Sequence, residues 1–231
     1  METVISSLPV LLLGAVITLQ ITAISVFIGC ILGLMAGLSR LSPKRVLRFL
    51  ATCYVDFFRG TPLLVQIVIV YFGIPQILRD IQNLLVQAYG FTPVFENIHP
   101  FLAAVIACSL NSGAYIAEIF RAGVQSIEKG QMEAARSLGM THGQAMRYVI
   151  LPQAFKRVIP PLGNEFIAML KDTSLLSVIG FEELFRRGQL IVGATYKAFQ
   201  IYLTVAFIYL IMVILISRLV DYLERRLKTG D

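Results

Sequence analysis

Two carboxylates stand where an apolar segment ordinarily carries none. Glu165 and Asp172 lie seven residues apart within "PPLGNEFIAMLKDTSLLSVIG" (160–180). On a helix that spacing returns to nearly the same azimuth, about 10 Å further along the axis. Ala168 lies on the same face between them and leaves space. A charge in such a segment is costly to bury and marks either a binding function or an ion pair. A bound ammonium or guanidinium group is the first chemistry to consider; a structural pair with Lys171 or Arg59 is the second. Another apolar run is interrupted by Asn111-Ser112-Gly113-Ala114. Ser112 and exposed backbone there suit a carboxylate, while small residues suit close helix packing equally well. A third interruption is Thr61-Pro62, directly after Arg59-Gly60. Pro62 removes a backbone donor and leaves carbonyls free to line a cavity. Arg59 either counters an acidic group or snorkels from a helix end. Glu118 and Arg121 read as structural groups near a membrane surface.

Other chemistries are missing. Every Lys follows a residue other than Gly, so no Gly-Lys phosphate loop exists and ATP is not hydrolysed through that motif. The two histidines, His99 and His142, precede Pro and Gly and form no zinc-protease pair. No Gly-x-Ser-x-Gly elbow and no convincing buried nucleophile–base pair is present, so neither catalytic nor metal-binding residues are expected. Cys30, Cys53 and Cys108 each stand alone in apolar runs and read as small packing residues.

The elements that must hold these residues are membrane helices. The chain has 231 residues, 57% hydrophobic and 15% charged, with a mean hydropathy of +0.76. Soluble domains keep roughly 25% charged residues. A bilayer core needs about 20 mostly apolar residues per helix, and five spans are expected: about 8–38, 50–76, 100–120, 158–180 and 198–218. The net charge of +6 matters by its placement, and no nucleic-acid partner is expected. Arg40, Lys44, Arg45 and Arg48, then Arg121, Lys129, Arg136, Arg147, Lys156 and Arg157, then Arg218, Arg225, Arg226 and Lys228 fall on one side. Arg79, Arg186, Arg187 and Lys197 fall on the other, and the first seven residues carry no Lys or Arg. The positive-inside rule places the N-terminus outside and the C-terminus in the cytoplasm. The first apolar run lacks a preceding basic region and is too long for a cleavable signal. Gly29, Gly33 and Gly37 share one helix face and predict close packing within a bundle. Ile77, Ile81, Leu84, Leu85 and Ala88 form a stripe that predicts a short amphipathic helix on the outer surface, ended by Gly90 and Pro93. No inverted repeat of the kind found in many secondary transporters is visible.

One passage is polar amid all this, "GQMEAARSLGMTHGQAMRYVILP" (130–152). Helix formers fill 131–138, Gly139 suits a left-handed cap, and Thr141 with Gln144 forms a capping box opening a second helix that runs to Pro152. A cytoplasmic helical hairpin is expected over 125–152. The order Glu133-Ala134-Ala135, Gly139, then Val149-Ile150-Leu151-Pro152 closely resembles the "EAA" signature of ABC importer permeases, with Val149 where Ile is usual. "DFFRGTPLLVQ" (56–66), "LNSGAYIAEIFRAG" (110–123) and 160–180 resemble the polar amino acid branch of that family.

The resemblance covers almost the whole chain and implies much. It implies an all-α integral membrane protein with five transmembrane helices, a single type I ABC importer permease domain over 1–231, multi-pass in the bacterial inner membrane. It implies no cofactor in this chain, with ATP and Mg bound by a partner ATPase subunit present in two copies. It further implies a second permease subunit, identical or not, an extracytoplasmic substrate-binding protein and an amino acid substrate. Glu133, Ala134, Ala135, Arg136 and Gly139 would then couple to the ATPase. Glu165, Asp172, Ser112, Asn111, Ala168, Thr61 and Arg59 would contact substrate, one carboxylate taking the α-ammonium and the other a cationic side chain or a neighbouring base. The alternatives are an ATP-independent secondary transporter or channel and, behind it, a membrane-embedded hydrolase.

Overall fold

A computed structural model describes residues 2–90, 92–93 and 97–227. Helix α1 (Glu2–Arg40) runs 39 residues through Pro9. Helix α2 (Arg45–Gly60) stops at an extended Thr61-Pro62. Helix α3 (Leu63–Val68) passes through a π turn (Ile69–Gly73) into α4 (Ile74–Tyr89). After α5 (Pro100–Gln125) come the short α6 (Lys129–Ser137) and α7 (His142–Ala145). A second π turn (Met146–Ile150) leads into α8 (Leu151–Asp172), which tightens into a 3-10 segment (Thr173–Ile179). Helices α9 (Leu184–Thr195) and α10 (Ala198–Leu227) complete the chain.

Among the described residues, Thr3–Arg40, Leu63–Tyr89, Pro100–Gln125 and Ala198–Arg226 are long and apolar enough to cross a membrane. Three expectations shift against these bounds. The expected span 50–76 is divided at Pro62, because proline cannot continue the hydrogen-bond ladder of α2. The stripe at 77–90 is therefore no separate surface helix: it continues the helix that begins at Leu63. Gly90 does end it, at φ +69°, its N–H donating to the Val86 carbonyl at 2.9 Å. The expected span 158–180 is helical only to Asp172, after which the chain tightens and leaves through Gly180 at φ +74°. Helix α9 was not expected. Its cap is Glu183, a fully buried carboxylate that accepts from the Phe185 and Arg186 N–H groups and from the Tyr209 hydroxyl at 2.8 Å.

Both π turns have one cause. Each ends two residues before a proline, Gly73 before Ile74-Pro75 and Ile150 before Leu151-Pro152. The Ile74 N–H reaches the Ile69 carbonyl and the Leu151 N–H reaches that of Met146, five residues back. Widening the helix there relieves the clash between a proline ring and the carbonyl four residues earlier. The second hairpin helix consequently does not end at Pro152 but runs on through it.

Helix α5 is the most buried of the four long helices and packs along α1, α2, α3 and α8. Its contact with α1 uses the glycine face read from the sequence. A Cβ at Gly29 would lie 3.1 Å from the Ser112 side chain, and one at Gly33 2.6 Å from Ile116 Cγ2 and 2.9 Å from the Ala117 nitrogen. From the other side, a Cβ at Gly113 would meet the Tyr54 hydroxyl at 2.6 Å. Around this seam Ile21, Val26, Ile67, Cys108, Met169 and Leu176 form the central core. Large apolar side chains on α1, α4 and α10 face outward, among them Phe27, Leu84, Phe199 and Leu215.

Gly33→Val is expected to destabilise the purified protein by about 1–3 kcal/mol through overpacking, read as a lowered thermal midpoint. Gly73→Ala, where a new Cβ would find only Ile69 atoms at 3.8 Å and beyond, should leave the midpoint near that of the parent.

Candidate functional site

The break at Thr61-Pro62 strands backbone carbonyls inside the bundle, and a buried side-chain amide answers them. Gln66, 3% exposed, donates from Nε2 toward the carbonyls of Phe58 (2.9 Å) and Thr61 (3.0 Å) and toward Thr61 Oγ1 (2.9 Å). Its Oε1 accepts from Asn111 Nδ2 at 3.0 Å, and that same nitrogen lies 3.3 Å from the Phe58 carbonyl. Asn111 is itself 5% exposed. Tyr54 ties the neighbouring turn down by donating to the Leu110 carbonyl at 2.7 Å. An irregular backbone persists at membrane depth only when such groups are satisfied. Gln66 was not singled out from the sequence, yet a lone amide four residues past a helix-breaking proline is the signal that marks it.

Beside this break lies a cavity of about 360 Å³. Its wall includes Thr61, Asn111, Glu165, Ala168 and Asp172, joined by Tyr115. Five of the seven residues expected at a substrate site therefore converge from three elements: the α2–α3 break, α5 and α8. Neither Glu165 nor Asp172 forms an ion pair among the described residues. Ser112 stands behind the wall, fully buried against α1. Its side chain is near enough to interact with the Glu165 carboxylate without completing a hydrogen bond. The arrangement offers two carboxyl groups facing open space, with amide and hydroxyl groups also at the wall.

Arg59 lies outside that cavity. Its guanidinium sits 5.4 Å from the centre of the Tyr115 ring and 3.9 Å from Glu118. Glu118 also pairs with Arg40 at 2.7 Å and with Arg121. The single carboxylate thus gathers arginines from the ends of α1 and α2 and from α5. Arg59 and Glu118 border a second space of about 460 Å³, lined also by Tyr115, Ser126 and Arg157 among others.

The polar passage is a helical hairpin as expected. Gly139 has φ +85°, and the Met140 N–H returns to the Ala135 carbonyl at 3.2 Å. Thr141 and Gln144 exchange capping hydrogen bonds at 2.8 and 3.3 Å. Arg136 Nη1 donates to the Met140 carbonyl across the turn at 3.1 Å. Of the two small residues, Ala135 is buried while Ala134 is exposed with Glu133 and Arg136. Met132 and Met146 pack on Ile127, Ile150 and Ala154, fixing the hairpin to the base of α8.

A cavity with two carboxyl groups at its wall, set between a broken helix, the membrane-length α5 and α8, suits the passage of a solute. Residues 26–229 match the model of the binding-protein-dependent transport system inner membrane component family, and the chain belongs to that family. The glutamine transport system permease protein GlnP of Escherichia coli (strain K12) is 40% identical over 222 residues, covering 96% of this chain and 94% of its own length. The arginine transport system permease protein ArtQ of Bacillus subtilis (strain 168) is 40% identical over 227 residues, covering 98% and 96%. A chain in a crystal structure of an amino acid ABC transporter with histidines superposes with a TM-score of 0.85 at 42% identity, covering 97% of each chain. The fold is thus the all-α type I importer permease, a transport component of the inner membrane and not an enzyme. The family carries with it an ATPase, a substrate-binding protein and a second permease subunit, and its permeases hold no cofactor of their own.

Replacing Gln66 by Leu removes the donors at the break and the acceptor for Asn111. Buried groups left unsatisfied cost about 1–3 kcal/mol each, so the thermal midpoint of Gln66→Leu should fall by more than that of Leu64→Ala, an exposed site on the same helix.

Proposed function

We propose that this chain is the permease subunit through which polar amino acids, basic ones among them, enter the cell by ATP-driven alternating access. The observation that carries this reading is the cavity at the Pro62 break, where Glu165 and Asp172 line open space and form no ion pair among the described residues, Lys171 acting on Asp172 only as a neighbouring charge. Leaving two carboxylates unpaired at membrane depth is costly unless an incoming group compensates them. An amino acid brings an ammonium group for one, and a basic side chain satisfies the other. Thr61 and Asn111 supply neutral polar contacts, Ala168 leaves room, and Ser112 steadies Glu165 from behind. Arg59, outside the cavity but against the Tyr115 ring that lines it, is the cation we assign to the substrate carboxylate. The names of the relatives, which speak of glutamine and arginine, accord with this class of solute.

Energy enters at residues 130–152. Glu133, Ala134 and Arg136 are exposed, as are Leu138 (85%) and Tyr148 (62%). An exposed apolar side chain flanked by charges marks a protein contact, and the partner ATPase is the occupant we assign, two copies serving a pair of permease subunits. Gly139 and the capping box make the hairpin a defined shape, so that ATPase closure moves it as a body and biases the bundle between two states. Five spans follow if α8 crosses with its charges turned inward, alongside α1, α3–α4, α5 and α10. The basic segments then place the N-terminus outside and the C-terminus in the cytoplasm.

Vesicles holding the permease with its ATPase and binding protein should take up radiolabelled amino acid only when ATP is supplied. Glu165→Gln with Asp172→Asn should lower that uptake about tenfold or more, the equivalent of about 1.4 kcal/mol or greater in lost charged contact. Unchanged uptake in the double variant would refute the site, and uptake that persists without ATP would refute the class of transporter.

A further inference from the structure

Tyr115 is shared by the two spaces. It lines the cavity with Glu165 and Asp172 and also the arginine-bordered space with Arg59, Glu118 and Arg157. It stands on α5, one turn beyond Asn111 and nearly one turn before Glu118. Its ring carries the Arg59 guanidinium at 5.4 Å, a cation–π contact. Arg59 is in turn held toward Glu118, which Arg40 and Arg121 fix in place. The ring is thus braced from the basic side and open toward the acidic side.

We propose that Tyr115, braced by Arg59, is the movable partition between the central cavity and the basic vestibule, the side chain that a solute displaces to pass between them. A single aromatic ring on the boundary of two cavities is moved by rotation about two side-chain bonds, with no shift of the α1–α5 seam. Arg59, Arg157 and Glu118 line the vestibule, and the Glu118 carboxylate is already paired with Arg40 and Arg121. A solute leaving the acidic cavity therefore meets positive charge as soon as the ring yields. That order of environments fits a molecule bearing both ammonium and carboxylate groups, a point that rests on the amino-acid reading above. The partition itself does not.

The test reads access, in the assembled transporter, in inside-out vesicles, without substrate or nucleotide. Ala168→Cys in a Cys53→Ser background places a thiol in the central cavity, and a membrane-impermeant maleimide reports how fast it is reached from the cytoplasmic side. The same background without the Ala168 change gives the baseline from Cys30 and Cys108. Tyr115→Ala is expected to raise the labelling rate several-fold, and Tyr115→Phe, which keeps the ring, to leave it near the parent's. Arg59→Gln, which unbraces the ring without removing it, should give an intermediate rise and stands in where Tyr115→Ala does not assemble. A rate unmoved in both Tyr115→Ala and Arg59→Gln, or raised equally in Tyr115→Phe, overturns the proposal. Because no amino acid is present, loss of the substrate reading would show only in the uptake of the Glu165 and Asp172 variants.

Discussion

Lipid offers no hydrogen bonds, so every carbonyl freed by Pro62 must find its partner inside the protein. That requirement organises the middle of this molecule. Gln66 turns back onto Phe58 and Thr61, Asn111 of α5 turns toward Gln66, and the two amides tie a broken helix to the most buried one. With the break satisfied, α2 and α3 need not be collinear, and space remains between the break and α8. The cavity is what remains when proline interrupts a helix and side-chain amides repair the damage. Its carboxylates on α8 then face a wall that is polar but already hydrogen-bonded, leaving them as the uncompensated groups.

Close packing at α1 and α5 complements this irregularity. Gly29, Gly33 and Gly113 let the two backbones approach until a single methyl group would collide. Helices in a bilayer associate by such contact, since no hydrophobic gain separates neighbour from lipid. A seam that tight resists shear, so movement must arise in elements packed less closely against α5. The break at Pro62 and the turn after Asp172 are where helical geometry already lapses.

The glycine face, the capping box and the left-handed Gly139 were legible in the sequence because each depends on neighbours a few residues away. So were Glu165, Ala168 and Asp172 as one face, since helical periodicity alone brings them together. What the sequence concealed depends on separate elements meeting. Gln66 looks like an ordinary polar residue until Phe58 and Asn111 surround it. Glu118 looks like a surface acid until Arg40 and Arg59 arrive from other helices. Arg59 was expected to contact substrate or to snorkel from a helix end, but it is held outside the cavity by Glu118 and the Tyr115 ring. The continuation through Pro152 was missed for a different reason: a π turn abolishes the usual penalty, and no local residue pattern announces one.

The hairpin and the cavity are joined by that continuation. From His142 to Asp172 the chain is helical throughout, about 45 Å at 1.5 Å per residue. Its start is fixed by Thr141 and by the apolar contacts of Met146 and Ile150, and its far end presents Glu165 and Asp172. Had the helix stopped at Pro152, motion of the hairpin would dissipate in a loop. Because it does not stop, the second arm of the hairpin and the carboxylates stand on one continuous helix, which also accommodates Pro160 and Pro161. The π turn at 146–150 is therefore both the accommodation of a proline and the reason that the proposed point of energy input and the proposed binding groups share one helical path.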